Sequence, residues 1–294
     1  MKRFTALIAS AALSLGAGSV ATAATIPVTD WHTFRATTAT TLGGQGTNAP
    51  TMGSTTASSS NGFIVGYLPN AIALTNVGDF VTLSFNVSFN DATGVTNNGD
   101  NFRWALFDLN GQTPVSGDNF ATAGVDGQTD DWRGYWFGHK GGGGAGTNGS
   151  IRERTAALAS GDNIFAAAAP NNTSAPSLGA VGGTAVTIAG SVNGDNTGPL
   201  YTGTLTLTKT AAGIDLSGSF SGTNGANANS FSVSDNTTPS PASFRAVAFL
   251  NGSGISADQV IFQNVNVLTN VPEPAAAGVL ALSAMAIGMR RRRA

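Results

Sequence analysis

The chain has 294 residues, of which only 10% are charged and 39 are glycine, with no cysteine and a formal net charge of −2. This composition excludes a disulfide framework, thiolate metal sites and cysteine nucleophiles, and it provides no broad basic surface for nucleic acid. The glycines follow no three-residue period, which excludes collagen.

Both ends read as targeting segments. Lys2 and Arg3 precede an uncharged apolar run from Phe4 to Val20, and Ala21-Thr22-Ala23 places small residues at −3 and −1 of a cut after Ala23. That order predicts a cleavable signal helix over residues 1–23, with signal peptidase as its partner. At the far end, Val271, Pro272, Glu273 and Pro274 form an extended stem. It leads into the uncharged stretch Ala275 to Met289 and then Arg290, Arg291, Arg292 and Arg293. The 15-residue stretch spans about 22 Å as a helix, short of the roughly 30 Å hydrocarbon core. Snorkelling arginines make up the difference and hold their end in the cytoplasm.

The body, residues 24–270, is predicted to be one all-β domain. Strand signals run over Gly62–Leu68, Asp79–Phe89, Asn101–Leu109, Gly134–Gly138, Ala185–Val192, Thr202–Thr208, Ile214–Phe220, Ser243–Leu250 and Gln259–Leu268. The clearest is Val81, Leu83, Phe85, Val87 and Phe89 alternating with Thr82, Ser84, Asn86 and Ser88, which is a strand with one buried and one wet face. Ala211-Ala212-Gly213 predicts a hairpin turn, and Asn110-Gly111 and Asn251-Gly252 predict two more turns. Ile151 to Ser160 is the one stretch that suits a short helix. Residues 36–61, 140–150, 166–183 and 221–241 are small, polar and loop-like. Many short strands with Gly/Asn turns indicate an antiparallel jelly-roll-like β-sandwich. Lys2, Arg3 and Arg290 to Arg293 are six of the fourteen basic residues, and Glu273 is one of the sixteen acids. The body therefore carries eight basic and fifteen acidic residues, a net −7 that opposes binding of polyanions through bulk charge.

Candidate chemistry is sparse. Glycoside hydrolysis needs two carboxylates about 5–10 Å apart. The chain has two glutamates: Glu273 lies in the stem and Glu153 stands between Arg152 and Arg154, so an Asp-based site at Asp126, Asp130 or Asp131 is the enzymatic alternative. Those aspartates lie close to glycine and read more simply as turn residues. His32 and His139 are the only histidines and read as solvated surface residues, too few for zinc. Asn97–Asp100, Asp126–Asp131 and Asn193–Asn196 offer oxygen donors for a structural calcium, although such clusters more often form turns, and no cofactor is expected. Trp132, Arg133, Tyr135 and Trp136 form the densest aromatic block. On a strand Trp132 and Trp136 face one way and Arg133 and Tyr135 the other, so one set belongs to the core and the other is a candidate stacking platform for sugar rings.

The Val-Pro-Glu-Pro stem, short apolar helix and arginine cluster over residues 271–294 resemble the PEP-CTERM sorting tail of Gram-negative bacteria that make extracellular polysaccharide. That resemblance implies an exosortase-type protease as partner, a transient inner-membrane anchor, and release to the cell surface or matrix. The runs Phe102–Asp108, Asp131–Gly138 and Val260–Val267 are more loosely similar to concanavalin/laminin-G-like jelly rolls, from which no catalytic or ligand motif transfers. The sequence thus points to an exported, non-catalytic surface or matrix protein. The alternatives are a lectin-like module for neutral glycan, with extracellular polysaccharide as partner, and a carbohydrate-active enzyme.

Overall fold

The computed structural model describes residues 23–34, 40–54, 62–90, 102–115, 117–118, 129, 131–140, 149–154, 164–165, 177–183, 186–188, 198–222, 228–236, 241–252, 255 and 257–272. Of the predicted signal helix over 1–23, residues 1–22 fall outside these residues, as does the whole predicted C-terminal helix over 275–289. None of the described residues forms a helix long and apolar enough to cross a membrane.

The strands are β1 (Ala24–Pro27), β2 (Asp30–Phe34), β3 (Thr40–Gly43), β4 (Thr51–Ser54), β5 (Gly62–Ala73), β6 (Phe80–Asn90), β7 (Phe102–Asp108) and β8 (Arg133–His139). They continue with β9 (Gly149–Arg154), β10 (Ser177–Ala180), β11 (Gly182–Gly183), β12 (Tyr201–Lys209), β13 (Ile214–Gly222), β14 (Ala228–Asp235), β15 (Ser243–Asn251) and β16 (Gln259–Thr269). A nine-stranded sheet runs β11-β14-β13-β12-β6-β16-β4-β3, with β1 also on β16. A seven-stranded sheet runs β10-β9-β8-β7-β15-β5-β2. Every described pairing is antiparallel. The protein is therefore a two-sheet antiparallel sandwich, in keeping with the all-β expectation.

The alternation in β6 does what its pattern requires. Val81, Leu83, Phe85, Val87 and Phe89 all enter the core between the sheets. Phe85 is the hub, with Phe249 at 4.8 Å, Trp104 at 5.4 Å and Phe102 at 6.1 Å between ring centroids, mostly edge to face. A second apolar layer lies on the outer face of the seven-stranded sheet. Phe63, Val65, Phe107, Trp132, Trp136 and Phe165 meet there, so that sheet is apolar on both faces.

Several local expectations change. Ile151 to Ser160 is not a helix at its start: residues 149–154 form β9, where Ile151 and Glu153 face inward and pairing with β8 overrides the helical composition. Residues 186–188 are not a strand, although Val186 and Ile188 are buried. All four loop-like segments contain strand residues, namely β3 and β4, the start of β9, β10 and β11, and β14. In β14, Asn229, Phe231 and Asp235 are buried while Ser230 and Ser232 are exposed, so serine fills the wet face of a strand that has few apolar residues to signal it. The Asn110-Gly111 turn is as expected: both residues have positive φ, 50° and 83°, and Gln112 N–H donates to the Leu109 carbonyl at 2.9 Å.

Candidate functional site

The four residues of the aromatic block do not share a surface. Tyr135 points into the inter-sheet core and donates its hydroxyl to Asp235 Oδ2 at 2.7 Å, tying β8 to β14 across the sandwich. Trp132 and Trp136 point the other way into the second layer, and each is 0% exposed. Arg133 pairs in register with Asp108 at the end of β7. Burial raises the Asp108 pKa, opposed by the Asn110 N–H and the Arg133 charge. The Trp136 ring lies under two guanidinium groups, Arg103 at 4.8 Å and Arg152 at 5.6 Å. The expectation of one set in the core and the other as an open stacking platform is thus replaced by burial of the aromatics of both sets, because alternation puts them into two different apolar layers.

His139 corrects the surface reading. It is 0% exposed, Nε2 donates to the Val186 carbonyl at 2.8 Å, and Nδ1 accepts from Asn229 Nδ2 at 2.8 Å. The ring also lies 4.7 Å from that of Phe220. His32 keeps its surface character, with Nε2 3.1 Å from Asp30 Oδ1. Glu153 is 1% exposed and faces inward. Its sequence neighbours Arg152 and Arg154 project to the opposite face, where Arg154 donates to the carbonyls of Trp132 and Thr129 at 2.6 and 2.7 Å. Asp131 accepts from Gln112 Nε2 at 3.1 Å. Asp126, Asp130 and the clusters at 97–100 and 193–196 lie outside the described residues. Among the described residues, no three of His, Cys, Asp and Glu come together as a metal site would require.

A different site emerges at one end of the seven-stranded sheet. Between the pairs Ala246–Tyr67 and Phe244–Ile72, the single residue Arg245 of β15 opposes the segment Leu68 to Ala71 of β5. Pro69 has no N–H to give the ladder and sits in this interruption. A break of this kind re-aims side chains. It opens a groove of about 480 Å³, whose walls include Thr25, Thr29, Asp30, Tyr67, Pro114 and Arg245. The Tyr67 hydroxyl accepts from Val115 N–H at 3.1 Å. Burial pushes its pKa up to about 12, with the charge of Asp30 adding and the Val115 N–H and Arg245 opposing. Arg245 Nε is shut off from solvent without a hydrogen-bond partner. Sequence reasoning passed over this site because Asp30, Tyr67 and Arg245 are spread over more than 200 positions. The one local signal is Pro69 inside an otherwise strand-like run.

No protein-family profile matches the chain, and no curated protein matches it. Among solved structures it is similar to the Lotus tetragonolobus seed lectin at 11% identity and a TM-score of 0.48, covering 86% of this chain and 100% of that one. It is also similar to peanut lectin with a 9-residue peptide, at 9% identity, TM-score 0.45 and coverage of 84% and 96%. A third similarity is to the VIP36 exoplasmic/lumenal domain in its Ca²⁺/Man3GlcNAc-bound form, at 11% identity, TM-score 0.41 and coverage of 85% and 88%.

Proposed function

We propose that this chain is an exported, non-catalytic surface or matrix component. Signal peptidase removes residues 1–23, the sandwich folds outside the cytoplasm while its tail holds it at the inner membrane, and an exosortase-type protease then acts near Val271–Pro274. The observation that supports this reading is a register. The first residue after the expected cut, Ala24, opens β1 and pairs with Thr269, the last residue of β16. The strand ladder thus starts directly after one processing point and stops just short of the other. Ala24 and Thr269 lie side by side in the ladder, so a chain that begins at Ala24 and ends after Asn270 keeps this pairing. Asn270 fastens this end, accepting from Phe80 N–H at 2.8 Å and donating to the Gly78 carbonyl at 3.0 Å.

The test is terminal sequencing of the protein recovered from the medium and envelope of a polysaccharide-producing Gram-negative host. A mature chain beginning at Ala24 and ending within 271–274 is expected. Replacing Pro272, Glu273 and Pro274 together by alanine is expected to leave the chain in the membrane fraction. Full-length, unprocessed chain in the cytosol would refute the proposal.

A further inference from the structure

We infer that the groove bounded by β1, β2, β5 and β15 binds a neutral, polyhydroxylated ring, one pyranose unit of an extracellular polysaccharide. This goes beyond the surface role proposed above; Tyr67 of the groove packs edge-on against Trp132 at 6.2 Å, but neither Trp132 nor Trp136 lines the groove.

The inference starts from a guanidinium nitrogen that is buried without a hydrogen bond. Arg245 is part-buried, and its Nε is shut off from solvent without a hydrogen-bond partner. Burying part of a guanidinium without a partner is unfavourable. The interruption in β5 holds it in that state, facing a cavity. Across the groove stands the opposite chemistry. Asp30 has its side chain 62% exposed, and among the described residues its contact is with His32 through Oδ1. Tyr67 uses its oxygen to accept from Val115, which leaves its O–H proton to donate. Thr25 and Thr29 add two hydroxyls that both donate and accept.

A wall carrying strong donors on one side and a carboxylate acceptor on the other matches a group that does both. A sugar hydroxyl is such a group, and adjacent hydroxyls on one ring can engage both sides at once. The remaining walls include the rings of Pro27, Pro69 and Pro114, which present flat apolar surface to the C–H faces of a pyranose. The volume of about 480 Å³ lies within the roughly 300–1,000 Å³ usual for small-molecule sites. Charge selects the neutral form. Asp30 and Arg245 cancel within the groove, and the net −7 of the body repels polyanions.

The test uses the full-length chain purified in a zwitterionic, sugar-free detergent, so that its outcome is independent of export and tail processing. Saturation-transfer NMR and titration are run with methyl β-D-glucopyranoside, methyl β-D-galactopyranoside, methyl α-D-mannopyranoside and sodium glucuronate. At least one methyl hexoside is expected to bind with a Kd of order 1 mM, as suits so small a ligand. Asp30→Asn and Arg245→Gln should each weaken it at least tenfold, while Val77→Ser, at an exposed position that does not line the groove, should leave it unchanged. Buried tryptophan emission reports whether each variant folds. If Arg245→Gln does not fold, the exposed Asp30 carries the test alone. The inference is overturned if no hexoside binds, if Asp30→Asn binds as well as the parent, or if glucuronate binds more tightly than every neutral hexoside.

Discussion

Replacing Gly203 by alanine ought to destabilise this protein, although the same change usually helps. Removing a glycine from an ordered strand narrows the unfolded ensemble and normally stabilises by about 0.4–1 kcal/mol. Gly203 occupies an inward position of β12 directly opposite Phe85 of β6. An added Cβ would fall within 2.6 Å of Phe85 Cε1 and nearer still to Cζ. The ring has little room to yield, because Phe249, Trp104, Phe102 and Phe262 surround it at 4.8 to 6.2 Å between centroids. Overpacking of this kind costs about 1–3 kcal/mol. Taking the middle of each range, the net expectation is a loss of roughly 1.3 kcal/mol, or about 3–5 °C in Tm for a domain of this size. Urea and thermal unfolding followed by tryptophan emission measure it, since all four tryptophans are buried. Phe85→Leu should relieve the clash, so the double variant should lose less than the sum of the two single changes by at least about 0.5 kcal/mol. A Gly203→Ala protein as stable as the parent, or strictly additive double-variant energetics, would refute the packing account.

Two further outcomes follow from buried polar groups. Tyr135→Phe removes the hydroxyl that Asp235 accepts at 2.7 Å, with Asp235 only 1% exposed. It should cost about 1.5–3 kcal/mol, and a loss under about 0.5 kcal/mol in urea unfolding would show that the inter-sheet bond contributes little. Tyr67, with its pKa raised from 10.0 to about 12, is protonated in the folded state where the unfolded chain would ionise. Its contribution is fully present below pH 10 and is lost as pH rises towards 12, by up to roughly 2–3 kcal/mol. Comparing alkaline stability curves of the parent and Tyr67→Phe isolates that slope, and parallel curves would contradict it.

What could be read in advance depended on how locally each feature is encoded. The alternation in β6, the turn at Asn110-Gly111 and the hairpin around Ala211–Gly213 are written in neighbouring residues, so they emerge from period and turn chemistry. Segments such as β14 are not legible, because their stability comes from pairing with β13 rather than from their own apolar content. The aromatic block shows the same boundary. Alternation correctly sent Trp136 and Tyr135 to opposite faces, but it could not reveal that the outer face is itself roofed by an apolar layer reaching Phe165. Nor could it reveal that His139 would find Val186 and Asn229 as buried partners.

The sequence by itself therefore determined the pleated, two-faced character of the body, since periodicity is a property of adjacent residues. Only the tertiary structure decided which aromatics stay hidden and where an open polar groove lies. Sheet order joins Asp30, Tyr67 and Arg245 across more than 200 positions of the chain, and no local pattern records such a meeting.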